Sequence, residues 1–242
     1  MDSKHMVELG KCRVDEHRYE EAYPYFLEGA LAEYPEAIKQ LAQLYLYGDG
    51  VNQDFKKAFH YFRIYYDLSG KLEFMWPVIS TREDIICNSV GRTEYSYILD
   101  YLTSKDEWTI YIIKADEYSK GGIYPRNPEK KLECLETALM KGGRFAAEAI
   151  GQMYYLGDEI PQDYLKAYEY FTMYEGEESF VKPYYLGEMY LNGICVEQNI
   201  EKARQFYEGI VDSDVPMKSM DDFYYKAAER LQELRNFDGE WL

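Results

Sequence analysis

The chain has 242 residues, 47% of them apolar, enough for a core in one or two globular domains or in a solenoid whose length follows its repeat count. Lys and Arg total 27 against 44 Asp and Glu, a formal net charge of −17, which disfavours nucleic acid and anionic membranes because both need neutralising cations. There is no apolar run of the ~18 residues a spanning helix needs, and the four dispersed cysteines, Cys12, Cys87, Cys134 and Cys195, suggest neither a disulfide framework nor a zinc site.

Residues 5–33 read as a helix pair in which Leu9, Ala22, Tyr25 and Phe26 are spaced for one packed face, without a glycine turn between the helices. The grammar of the chain becomes explicit in the next unit, near 37–66. There Leu41 and Tyr45 stand four apart beside the small Ala42, and YGDGVNQ breaks the helix with two glycines. Asp54 is placed to cap a second helix, in which Ala58, Tyr61, Phe62 and Tyr65 fall at i, i+3, i+4 and i+7. Residues 68–108 have the length of one further unit but little of its signature, with GRTEYSYILDYL as the second helix.

Residues 110–142 form a degenerate copy. Tyr118, Gly121, Lys130, Cys134 and Leu135 keep their offsets, whereas Lys114 and Lys131 replace the expected leucine and alanine. The pattern returns in full near 146–175, with Ile150, Gly151, Tyr154, Gly157, Asp163, Ala167, Tyr170 and Phe171. It returns again near 183–210, with Leu186, Gly187, Tyr190, Gly193, Asn199, Ala203, Phe206 and Tyr207. Gln53, Gln162 and Gln198 share one turn position, and Lys57, Lys166 and Lys202 share another. A segment at about 219–236 reads as a closing helix with a charged outer face. A fixed period of this kind signals an all-α stack of helix-turn-helix units of ~36 residues, in which neighbours bury the face that one unit leaves open and atypical ends cap the stack. The expected organisation is one solenoid over residues 1–242.

The run of leucine, small residue, tyrosine, glycine, Gln-Asp, Lys-Ala and aromatic pair resembles the Sel1-like repeat, a relative of the tetratricopeptide repeat. The resemblance implies a right-handed α-solenoid whose first helices line a concave face, and a role as an adaptor in signalling or in the assembly of protein complexes. Some bacterial members of the family have been associated with β-lactamase-like activity, so a hydrolase is the alternative function.

The sequence gives that alternative little support. Ser179-Phe-Val-Lys182 is the one S-x-x-K, it precedes Pro183 in what reads as a connection, and neither S-D-N nor K-T-G is present. His5, His17 and His60 lack a second histidine at i+4 and a nearby cysteine pair, so no metal site is expected. Gly48-Asp-Gly50 is turn punctuation without the strand of a phosphate loop. No catalytic residue and no cofactor is expected.

If the family geometry holds, positions −6, −2, +1 and +2 from each repeat tyrosine project into the concavity. The candidate partner-binding residues are therefore Lys39, Gln43 and Tyr47; Glu148, Gln152 and Tyr155; and Tyr184, Glu188 and Asn192. Leu46, Leu156 and Leu191 share those positions but are expected to pack between helices. Tyrosine, amide and carboxylate together suit an extended peptide. The acidity reads first as a solvated, self-repelling surface and second as a field for a basic partner. The expected function is thus a non-enzymatic scaffold for a protein or peptide. The polar N-terminus, MDSKHMVELGKCRVDEH, has no signal-peptide core, which points to the cytoplasm unless a leader has been removed.

Overall fold

A computed structural model describes residues 2–105, 107–174, 179–212 and 222–239, with only the backbone described for residues 237–239. Asp106, Glu175 and residues 219–221 of the spans expected from sequence lie outside the described residues. Among the described residues every regular element is a helix, and the fold is an all-α solenoid of stacked helix hairpins. The chain divides into two compact units, residues 1–106 with 122–125, and residues 107–121 with 126–242.

In the first unit α1 (Ser3–Asp15) pairs with α2 (Tyr19–Leu31), and α3 (Pro35–Tyr47) pairs with α4 (Phe55–Ser69). Two short helices follow, α5 (Met75–Ser80) and α6 (Arg82–Cys87), and then α7 (Ser89–Thr103), which packs on α4 and α6. This segment substitutes aromatic contacts for the repeat signature. Phe74 stacks on Phe62 with ring centroids 4.8 Å apart, and Tyr95 stacks on Phe59 at 6.1 Å.

In the second unit the hairpins are α8 (Trp108–Lys120) with α9 (Pro128–Met140), α10 (Ala146–Leu156) with α11 (Tyr164–Thr172), and α12 (Val181–Asn192) with α13 (Ile200–Val211). The last helix, α14 (Asp222–Gly239), packs on α13 and α12.

Each regular turn is built from the same bonds. Gly48, Gly121, Gly157 and Gly193 end their helices at φ between +68° and +79°, the left-handed conformation that a side chain would strain. The Nε2 of Gln53, Gln162 and Gln198 then donates to the carbonyls of Leu46, Tyr155 and Leu191 at 2.9, 2.9 and 2.8 Å, which satisfies a helix-end acceptor. Asp54, Asn127, Asp163 and Asn199 cap the second helices by accepting from the backbone N–H of Lys57, Lys130, Lys166 and Lys202. Those lysines reach back over the rings of Tyr45, Tyr118, Tyr154 and Tyr190, with the ammonium 4.1–5.6 Å from the centroid. The recurring glutamine and lysine are therefore parts of one turn device.

The helix crossings rest on small residues. Ala58, Ala167 and Ala203 have no exposed surface. Gly151 and Gly187 let the rings of Phe171 and Tyr207 press onto the helix backbone, where an added Cβ would stand 2.7 and 2.5 Å from ring carbons. In the degenerate copy Lys131 stands where the other units have alanine. It turns its ammonium to Glu159, which also accepts from Arg126 at 3.1 Å. Burial would raise the Glu159 carboxyl, but its bonds to Lys131 and Arg126 outweigh that and hold it below the usual carboxylate range.

Candidate interaction surface

The nine candidate residues divide into those consumed by the fold and those that remain presented. On α3, Lys39 bridges Glu36 and Glu73 at 2.9 and 3.0 Å. Gln43 on the same helix is half-buried, and Tyr47 is 42% exposed.

In the second unit two candidate carboxylates are buried. Glu148 accepts from the Ser179 hydroxyl. Glu188 accepts from Arg230 through Nε at 2.7 Å and Nη2 at 3.2 Å, and from the Tyr207 hydroxyl at 2.8 Å. Glu188, expected from its position to project into the concavity, is instead held by these bonds and joins α12, α13 and α14. The Tyr207 hydroxyl is held far above its ordinary pKa by burial first and by the Glu188 charge second. The Glu188 bond, followed by that to Glu233, raises the Arg230 guanidinium, so both ends of the link stay in their bonding states.

The tyrosines of this face form a connected cluster. Tyr155 lies 4.7 Å from Tyr185 and 5.3 Å from Tyr164, and Tyr184 lies 5.3 Å from Phe223 at the start of α14. Burial, then the Glu188 charge, raises the hydroxyl pKa of both Tyr155 and Tyr184, keeping them neutral donors. Gln152 is half-buried and donates to the Tyr185 hydroxyl at 3.3 Å. Asn192 is exposed and bonds back to the Glu188 carbonyl.

The three leucines do not behave alike. Leu46 is 1% exposed and Leu191 packs against the α13–α14 core, whereas Leu156 is 45% exposed, contrary to the expected packing. Beside it a cavity of about 260 Å³ opens, lined by Lys131, Ala149, Gln152, Met153, Leu156, Asp158 and Glu159. The exposure of Leu156 follows its register: it stands two residues after Tyr154, the position of the exposed Tyr47 and Asn192, whereas Leu46 and Leu191 stand one residue after their tyrosines.

Ser179 and Lys182 turn to different partners. The Ser179 hydroxyl faces Glu148 and accepts from the Val181 N–H, and the Lys182 ammonium faces the Tyr174 carbonyl. Serine and lysine are thus not arranged as nucleophile and base. Among the described residues no cluster of His, Cys, Asp and Glu has the geometry to hold a metal ion, and no helix is long and apolar enough to cross a membrane.

Residues 35–68, 145–173 and 184–208 match the family model for the Sel1 repeat. It is 24% identical over 223 residues to an uncharacterised Sel1-like repeat-containing protein of Schizosaccharomyces pombe, covering 83% of this chain and 32% of that protein. The chain thus spans about a third of the length of the curated relative it matches. Its fold is similar to that of c5321, a protective antigen present in uropathogenic Escherichia coli strains that displays an SLR fold. The TM-score is 0.56 at 18% identity, over 94% of this chain and 54% of that one. A Sel1 repeat protein from Oxalobacter formigenes gives a TM-score of 0.53 at 17% identity, over 96% of this chain and 99% of that one.

Proposed function

We propose that this chain is a non-enzymatic interaction scaffold of the cytoplasm, which holds a segment of a partner protein on the first-helix face of its second unit. The observation that carries the reading is the cavity beside Gln152 and Leu156. An exposed leucine supplies apolar area and the Gln152 amide supplies a group for a peptide backbone. Apolar anchors surrounded by polar groups are the usual composition of a peptide groove. Tyr47 and Gln43 present similar chemistry on the corresponding face of the first unit.

The test places a photoreactive phenylalanine analogue at position 156 and, separately, at position 165, where Leu165 is 64% exposed on α11. Crosslinking in native cells should capture through position 156 a partner whose crosslinked peptides map to one continuous segment, and capture should be lost on adding Gln152→Ala. Capture through position 165 with none through 156 would place the interface elsewhere and defeat the proposal.

A further inference from the structure

A separate groove of about 410 Å³ lies between α9 and the turn that opens α11. Its apolar lining is Leu132, Tyr154, Ile160 and Pro161, and its rim on α9 is Glu129, Glu133 and Glu136. The spacing i, i+4, i+7 sets the three carboxylates in one stripe, where like charges repel. Glu129 lies in the first turn and gains from the helix dipole, but Glu133 and Glu136 stand beyond its reach. Among the described residues no ion pair engages these three carboxylates. Asp163 is occupied in capping α11, and the lysine of the lining, Lys166, is held over the Tyr154 ring at 4.8 Å. The repeat does not demand this stripe: the equivalent positions are Lys56, His60 and Arg63 on α4, and Leu165, Glu169 and Thr172 on α11.

We propose that this groove takes a lysine or arginine side chain from a basic segment of a partner protein. An apolar floor beneath a carboxylate rim complements such a side chain: the aliphatic stem covers Leu132 and Pro161 while the cation meets Glu133 and Glu136. The occupant is another protein rather than a second copy, because the net charge of −17 makes copies repel. This surface is independent of the cavity beside Leu156.

The test uses the full chain, amide NMR, and an acetylated, amidated Gly-Arg-Gly-Arg-Gly peptide at low ionic strength, with the neutral citrulline peptide as control. Shifts confined to residues 129–136 and 160–166 with the arginine peptide alone are expected. In the Glu133→Gln/Glu136→Gln double variant the affinity should fall about tenfold with thermal unfolding unchanged. Equal shifts with citrulline, shifts spread equally over the Glu201 and Glu208 stripe of α13, or unchanged affinity in the double variant would overturn the proposal. A wild-type dimer by sedimentation that the double variant converts to a monomer would assign the groove to a second copy, and so overturn it too. Gln152→Ala should leave arginine-peptide binding intact while abolishing capture through position 156, so that failure of either reading is seen separately.

Discussion

The second helices α4 and α9 hold the same place in the repeat, one in each unit, and carry opposite charge on it. Lys56, His60 and Arg63 on α4 match Glu129, Glu133 and Glu136 on α9, and each matched pair has the same degree of exposure. Two turns of the same helices are nearly invariant in role: Asp54 and Asn127 cap, and Phe62 and Leu135 fill the core. The repeat therefore constrains the residues that satisfy helix ends and crossings, and leaves the outer stripe free to take either sign. Differences in that stripe are where one unit can acquire a partner that another does not.

If this division between constrained and free positions is right, buried and exposed carboxylates should respond very differently to substitution. Glu188→Ala leaves the buried Tyr207 hydroxyl without its acceptor and removes two bonds from Arg230, which keeps Glu233, and should cost about 1–3 kcal/mol in urea unfolding. Glu133→Gln should stay within about 0.5 kcal/mol of wild type. Equal responses would erase the comparison. A pair of glycines sharpens it at the next level. Gly187→Ala drives a methyl into the Tyr207 ring and should cost about 1–3 kcal/mol, whereas Gly209→Ala meets nothing within 4 Å and should gain about 0.5–1 kcal/mol.

Smaller effects belong to the turns and to the degenerate copy. Gln162→Ala removes the donor to the Tyr155 carbonyl, which solvent can partly replace, and should lower stability by about 0.5–1 kcal/mol. Glu159 tests the lysine that replaces alanine at position 131. Its carboxyl is held below the ordinary value in the folded state, so its ion pairs stabilise fully above the unfolded value of about 4.3 and are lost as pH falls through the lowered folded value. Glu159→Gln should accordingly flatten the acid side of the melting temperature against pH and leave the alkaline side unchanged. A parallel downward shift across the whole range would show that the carboxylate acts through packing alone.

Ser179 and Lys182 show how spacing in sequence differs from proximity in space. One helical turn separates them in the chain, yet Ser179 finds Glu148, 31 residues away, and Lys182 finds the Tyr174 carbonyl, eight away. For the candidate surface, the sequence register separates the two positions that follow each repeat tyrosine. Position +1 from the tyrosine is buried as Leu46 and half-buried as Tyr155 and Leu191, whereas position +2 is exposed as Tyr47, Leu156 and Asn192, so the leucines separate by register rather than by residue type.

By itself the sequence determined the helix class, the repeat register, the glycine turns and the Asp or Asn caps. Those features are local: spacing of 3.6 residues selects a face, and a helix end needs its donors and acceptors met within a few residues. Only the tertiary structure decided which carboxylates are inside. Glu188 meets Arg230 at a separation of 42 residues, Glu159 meets Lys131 at 28, and Glu133 meets no cation among the described residues. In a one-dimensional chain these glutamates are alike, and their roles separate only when distant helices bring a cation, a hydroxyl or open water to each.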